Sequence, residues 1–138
     1  MTLARLGSRR GSELVEFALI MPLLLFIVFG IVDFGLAIYD KAIVTNAARE
    51  AARAGIVFAP ARLTAGEIQT VAQQYCATNL VTFGTPAPPA VAVTGAGGAS
   101  GSELRVVVSY TYNWGVIPGF MPLGSGLNLT ATSVMRME

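Results

Sequence analysis

Few residues of this 138-residue chain are of a type that performs chemistry, and those few exclude most enzymes. The chain has no histidine, a single cysteine, Cys76, and a single lysine, Lys41. Catalytic triads, cysteine–histidine pairs and histidine-liganded metals are therefore impossible, and a serine–lysine pair would depend on Lys41. One cysteine also excludes an internal disulfide and a cysteine-based metal cage. We expect no enzymatic activity, no cofactor and no metal.

The composition indicates that part of this protein does not face water. Hydrophobic residues make up 54% of the chain and charged residues only 12%, which is unusually apolar for one soluble domain. The net charge is +1, so the sequence predicts no surface for nucleic acid.

A long apolar run near the N-terminus accounts for this composition. Residues 17–32 carry no charge, and beyond Asp33 the apolar character continues to Tyr39. As a helix, this run would be about 35 Å long, enough to cross a hydrocarbon core of about 30 Å. A cleaved secretory signal or a buried core helix would also be apolar, but here the run passes directly into further helix-compatible sequence. We predict a membrane-spanning helix.

The charges around this run predict its orientation and single out one side chain. Arg5, Arg9 and Arg10 precede the run and favour a cytoplasmic N-terminus. Glu16 stands at the very start of the run, where a carboxylate is costly unless it is paired or stays at the headgroup level. The simplest interpretation is an ordinary flanking charge at the membrane surface.

The spacing of Glu16 from Gly11 supports a more specific interpretation. Basic residues precede Gly11, Glu16 is the fifth residue after it, and Phe17 opens the apolar helix. This arrangement resembles the processing site of type IV pilins. The resemblance implies that prepilin peptidase cuts between Gly11 and Ser12, and that Glu16 neutralises the N-terminal amine of a neighbouring subunit. Ser12 departs from the aromatic residue that many type IV pilins have after the cut.

Two further motifs resemble the TadE/TadG family of pseudopilins from the tight-adherence (Tad/Flp) pilus. One is Glu16-Phe17 followed by Pro22, and the other is the alanine-rich segment TNAAREAAR at residues 45–53. Pro22 is either a point of flexibility or a tolerated transmembrane proline. The resemblance covers residues 8–58 and implies three kinds of partner: the membrane, prepilin peptidase and other pilin subunits. Major pilins of such systems are little more than a processed helix, so a chain with a head resembles a minor subunit.

The alanine-rich segment predicts a helical stem that continues out of the membrane. Its small side chains permit close packing, either on the chain's own head or against another subunit; they are Ala47, Ala48, Ala51 and Ala52. We therefore expect a leader at residues 1–11, a transmembrane and stem helix at residues 12–58 and a periplasmic head at residues 59–138.

The remaining sequence predicts an α+β head that is pilin-like in layout. Thr64 and Glu67 form a capping box before a helix whose apolar stripe includes Cys76, which favours a buried free thiol. A short strand around residues 91–93, a strand with alternating apolar residues at 104–114 and a last strand at 127–137 predict a three-stranded antiparallel sheet.

Two functions fit this sequence. The first is a minor pilin of the bacterial inner membrane that takes part in initiating a tight-adherence pilus for surface attachment. The alternative is a membrane-tethered periplasmic ligand-binding or sensor domain. The apolar loop at residues 116–123 fits either role, because it can cover the end of the sheet or form a contact patch.

Overall fold

The computed structural model describes residues 7–83, 87–115 and 126–138, with side chains from residue 11 onward. Two helices precede three strands in this part of the chain: α1 Gly7–Ile56, α2 Ala65–Asn79, β1 Ala90–Thr94, β2 Glu103–Tyr112 and β3 Leu127–Arg136. The strands form one antiparallel sheet in the order β1-β2-β3. The predicted α+β architecture is confirmed.

Helix α1 has two parts with different surroundings. Residues 11–32 are exposed apart from half-buried Phe26 and Gly30, and their side chains are almost all apolar. Among the described residues, α1 is the one helix long and apolar enough to cross a membrane, and none of its most apolar stretch is buried. From Asp33 onward, one side of α1 is covered by the head. We therefore treat residues 14–32 as the membrane-spanning segment and Asp33 to Ile56 as the stem.

The covered side of the stem is made mostly of alanine. Its four central alanines are between 0% and 1% exposed; they are Ala47, Ala48, Ala51 and Ala52. They share one apolar core with α2 and with the inner face of the sheet. Because alanine side chains are so short, the helix backbone can come close to the elements packed on it, which lets a small head bury its core.

Strand β2 supplies the centre of that core. Its side chains alternate between the helices and solvent, and the inward ones are nearly or fully buried: Leu104, Val106, Val108, Tyr110 and Tyr112. At one end of β2, a Cβ placed on Gly55 would lie 2.6 Å from Leu104 Cδ2, so the stem and strand are in close contact there. At the other end, the Tyr112 hydroxyl donates a hydrogen bond of 3.2 Å to the Asp33 carbonyl oxygen.

Strand β2 therefore runs along the stem toward the membrane. The Leu104 end is distal and the Tyr112 end lies where the exposed apolar segment of α1 begins. About 33 Å of helix separates Asp33 from Gly55, which is close to the length of a ten-residue strand such as β2. The head thus covers the stem over its whole length.

Helix α2 begins with the predicted capping box. The Glu67 backbone N–H donates to Thr64 Oγ1 at 3.4 Å, and the Thr64 backbone N–H donates to Glu67 Oε2 at 2.8 Å. The Thr64 hydroxyl also donates to Glu67 Oε2 at 2.8 Å, and the two hydrogen bonds that the carboxylate accepts from Thr64 lower the pKa of Glu67. The inward side of α2 is formed by Ile68, Ala72 and Cys76, all fully buried.

We predict that Ala51→Leu loosens the head from the stem, whereas Ala42→Leu on the exposed side of the same helix does not. A larger side chain at a fully buried site forces its neighbours apart and should lower the free energy of unfolding by about 1–3 kcal/mol. The surface substitution should change it by less than about 0.5 kcal/mol. Urea unfolding in detergent, followed by the fluorescence of Trp114, measures both. Equal midpoints for the two variants would contradict this packing.

Candidate functional site

The residues of the predicted processing and pairing site lie on the exposed part of α1. The bond between Gly11 and Ser12 is inside the helix, and a Cβ built on Gly11 would meet no described atom within 4 Å apart from those of its own helix turn. Glu16 and Phe17 are exposed, and no ion pair joins Glu16 to any side chain described from residue 11 on. The Glu16 carboxylate therefore faces outward, toward whatever surrounds the helix.

Pro22 lies within α1, and the helix continues on both sides of it. A proline inside a helix removes one backbone hydrogen bond, which residues of a neighbouring helix or a locally adjusted turn can compensate in a membrane. Pro22 therefore does not end the apolar segment, and residues on both sides of it present an exposed apolar surface.

The structure places the alanine-rich segment against the chain's own head. All four alanines of the predicted packing face are buried within the chain and leave no surface for another subunit while the head is in place. The outward side of the same stem carries polar residues instead, including Arg53 and Glu50, which form an exposed ion pair at 3.8 Å. Close packing of the stem is thus intramolecular in this structure.

Two acidic residues that the sequence analysis did not assign are central to the head. Asp33 and Asp40 lie seven residues apart on the covered side of α1 and are 1% and 0% exposed. The tip of the head reaches Asp33, because a Cβ on Gly115 would lie 3.1 Å from Asp33 Oδ1. Asp33, Asp40 and Ala47 are each seven residues apart and so lie on the same side of α1. This spacing was the signal in the sequence that both acids belong to the covered side of the helix.

The Asp40 side chain connects the stem to the chain segment that follows α2 through a hydrogen bond. The Val81 backbone N–H donates to Asp40 Oδ1 at 3.0 Å, whereas Oδ2 is buried and has no hydrogen-bond partner among the described residues. Burial raises the pKa of Asp40, and the hydrogen bond from Val81 opposes that effect only in part. Asp40 is thus a buried carboxyl group at the joint between stem and head.

Neighbouring side chains complete this joint. The hydroxyl groups of Thr82 and Tyr110 are 3.0 Å apart, and the ring of Phe83 meets Tyr112 edge-on with 6.4 Å between ring centroids. Burial, with a further contribution from the nearby acids Asp33 and Asp40, raises the pKa of Tyr112 to about 12. Tyr112 therefore stays protonated and can donate its hydrogen bond to the stem at any physiological pH.

Cys76 is a free, buried thiol on α2, as the sequence predicted. Burial and the nearby Asp40 carboxylate raise its pKa to about 11. Because the thiolate is the reactive form of cysteine, this environment makes the side chain inert rather than nucleophilic.

A half-open cavity of about 440 Å³ lies beside Cys76, between α2 and the sheet. Its walls are mainly apolar, and the described residues that form them carry no charge; they include Gln73, Ala77, Leu80, Thr82 and Tyr110. No group of three or more potential metal ligands occurs among the described residues. The apolar loop at 116–123, for which the sequence allowed two roles, lies outside the described residues.

The loop between β1 and β2 is held in place rather than free to close on a ligand. Gly95, Gly97 and Gly101 adopt positive φ angles there, and the Gly101 N–H donates to the Met137 carbonyl at 2.9 Å. Arg62 also donates to the Gly98 carbonyl at 2.7 Å. This loop therefore forms part of the distal end of the head.

Comparison with known families finds a match within helix α1. Residues 11–53, about a third of the chain, match a family model described as TadE-like protein. Over this segment the chain is similar to TadE-like proteins. The match begins at the predicted processing site and includes Glu16, Phe17, Pro22 and the four buried alanines. It confirms the resemblance found in the sequence and associates the chain with the Tad pilus, whose TadE-like members are structural proteins.

The TadE-like match ends at Arg53, before α2 and the sheet. No curated protein and no solved structure matches the chain. The family match together with the exposed apolar helix supports a membrane-associated, pilin-like protein.

We predict that Asp40→Asn changes how the stability of the head depends on pH. The folded protein holds the Asp40 proton more tightly than the unfolded chain, whose carboxyl group has a pKa of about 3.9. The contribution of Asp40 to the free energy of unfolding is therefore largest below that pKa and is lost as the pH rises through the raised value in the fold. Asparagine can still accept the Val81 hydrogen bond but has no proton to lose.

Asp40→Asn should therefore become more stable relative to the original protein as the pH rises from 3 to 7. The gain is the free energy of unfolding of the variant minus that of the original protein. Urea unfolding in detergent across that range measures the gain. Glu50→Gln, which removes an exposed acid from the same helix, serves as the control and should give a nearly constant difference. If the free energy of unfolding varied with pH in the same way for the Asp40 variant and the original protein, burial would not disfavour the charged form of Asp40.

Proposed function

We propose that this TadE-like protein is a minor pseudopilin that takes part in initiating a tight-adherence pilus used for surface attachment. It would reside in the bacterial inner membrane with its N-terminus in the cytoplasm before processing and its head in the periplasm. Incorporation into the pilus, for example at its tip, is compatible with this role. The family match over residues 11–53 and the exposed apolar part of α1 support the proposal.

The observation that carries this proposal is the division of α1 into a free and a covered part. The head occupies one side of the stem from Asp33 to Ile56, whereas residues 11–32 are exposed almost all round. The motifs of the pilin-like site are in the free part, namely Gly11, Glu16 and Pro22. Partner subunits therefore meet this protein along its membrane helix, where packing and polar pairing drive association.

Processing by prepilin peptidase is the second element of the proposal. Hydrolysis of the peptide bond between Gly11 and Ser12 would remove residues 1–11 and leave a protonated amine on Ser12. Glu16 is four residues further on, about one helical turn away on the same side of α1. Its carboxylate is thus near the level of a neighbouring subunit's new amine, and pairing the two charges relieves the cost of each in an apolar environment.

The head supports the assignment as a minor rather than a major subunit. Residues 59–138 contribute a helix and a three-stranded sheet, all packed on one side of the stem. A fibre whose main subunit is little more than a helix leaves no room for such a head at every position. We therefore place the protein at the start or tip of the fibre, with another pseudopilin as its direct partner.

A membrane-tethered ligand-binding domain remains the second candidate, and the cavity beside Cys76 is the observation that favours it. A tether for such a domain has no use for a carboxylate at a fixed distance from Gly11. The consequence of losing Glu16 therefore distinguishes the two functions.

We predict that Glu16→Ala still inserts in the membrane but fails to assemble. Removing a charge makes the helix start more apolar, so insertion is retained. Recovery of partner pilins from solubilised membranes should fall by about tenfold, the effect of losing about 1.4 kcal/mol of pairing energy. Piliation should fall with it. Glu13→Ala removes the neighbouring exposed acid and should leave both readouts unchanged.

The intact mass of the original protein and of both variants should correspond to a chain that starts at Ser12. A full-length mass in cells with an active prepilin peptidase would refute processing at this site. Normal piliation and partner recovery in Glu16→Ala would refute the assembly role and leave the ligand-binding alternative.

A further inference from the structure

We propose that the lower end of the head lies in the interfacial layer of the bilayer and forms a second membrane contact beside the helix. We call this area the membrane-proximal surface and define it by Trp114, Phe34, Ile38 and Leu127, with Lys41 at its upper edge. The proposed partner is the lipid surface itself.

The orientation of the head places Trp114 at the level where α1 enters the membrane. The neighbouring Tyr112 donates a hydrogen bond to the Asp33 carbonyl oxygen, and Gly115 lies next to the Asp33 carboxylate. The Trp114 ring packs edge-on against Tyr112, with 5.6 Å between ring centroids. Trp114 is only half-buried, so part of its ring is available to the surroundings.

The length of the helix sets the depth of this level. With a rise of 1.5 Å per residue, Asp33 lies about 26 Å along α1 from Glu16. If Glu16 marks one boundary of a hydrocarbon core about 30 Å thick, the other boundary falls near residue 36. The level of Asp33 and Trp114 is therefore within about 4 Å of this boundary of the hydrocarbon core and not above the membrane.

The side chains around this level are those that a lipid interface favours. Phe34 and Ile38 are each 58% exposed and Leu127 is 38% exposed. Together they border a shallow groove of about 250 Å³ between α1 and the start of β3. Tryptophan prefers the headgroup boundary, and apolar side chains next to it can reach the acyl chains.

The positions of two charged residues, Lys41 and Asp33, are consistent with this depth in the membrane. Lys41 lies about 38 Å from Glu16 along α1, at headgroup level, and its ammonium group donates to the Thr130 carbonyl oxygen. From there it is also within reach of lipid phosphates. Asp33, which lies deeper, is 1% exposed because the tip of the head covers it. An acid at that depth is tolerated when protein shields it from lipid.

A lipid surface fits better than a second protein copy because the membrane-proximal surface is continuous with the exposed segment of α1. Residues 14–32 are covered by lipid on several sides in any membrane-bound form of this chain, and Phe34 and Ile38 extend the same apolar surface upward. Leu127 at the start of β3 and Trp114 just after β2 lie at the same level of the membrane as these helix residues.

Trp114 is the single tryptophan of the chain, so its fluorescence reports on this surface alone. The full chain is reconstituted in phosphatidylcholine vesicles whose acyl chains carry bromine either near the glycerol or near the bilayer centre. We expect bromine near the glycerol to quench Trp114 several-fold more strongly than bromine near the centre. Quenching should not depend on the protein-to-lipid ratio.

A reporter at the opposite end of the head provides the matched control. Phe58 is 73% exposed beside the distal end of α1. Phe58→Trp combined with Trp114→Phe should show little quenching by either lipid. Leu127→Trp in the same Trp114→Phe background places a reporter on the other side of the membrane-proximal surface and should respond as Trp114 does.

Three results would overturn the proposal. Quenching of Trp114 by aqueous acrylamide but by neither brominated lipid would show that the head stands clear of the bilayer. Protection from both kinds of quencher, or lipid quenching that falls as the protein-to-lipid ratio rises, would show that another copy of the protein covers this surface. Equal lipid quenching of the reporters at Trp114 and Phe58 would show that the head has no fixed orientation.

Discussion

The close contact between the stem and the sheet is the constraint on which the rest of the structure depends. A three-stranded sheet and one short helix have too little apolar surface to form a core by themselves. The buried side of α1 supplies the missing layer, and its alanines let β2 approach closely enough to exclude water. The head is therefore a structure built on the anchor helix, and the covered side of the outer half of that helix is not available for other contacts.

This constraint also fixes the relation between the head and the membrane. Gly55 and Leu104 join stem and sheet at the distal end, and Asp33 and Tyr112 join them at the membrane end. Between these points, Asp40 holds the segment that follows α2. A head attached along the whole stem cannot swing on a flexible neck. Any movement of the anchor along the bilayer normal, such as extraction into a fibre, would therefore move the head as well.

Much of the fold was predictable from the sequence because the signals were local. The capping box at Thr64 and Glu67, the alternation along β2 and the apolar run of α1 each depend on residues close in the chain. The buried acids were not predicted, because whether a helix face is covered depends on tertiary contacts. In the sequence, Asp33 interrupts an apolar run, although its spacing from Asp40 follows the alanine face.

The partner of the alanine face could not be predicted from the sequence either. Small side chains allow close packing against a sheet of the same chain and against a helix of another subunit equally well. Helix α1 thus consists of a membrane segment that is free for partner subunits and a stem whose covered side is reserved for the head. Site-specific photo-crosslinking in pilus-forming cells tests this division most directly, with the crosslinker at Leu19 or Leu23 in the membrane segment or at Thr45 or Ala54, which are half-buried at the edge of the covered side of the stem. We expect crosslinks to other pilin subunits from the first pair and only intramolecular crosslinks to the head from the second. Crosslinks from Thr45 or Ala54 to another subunit would contradict this division.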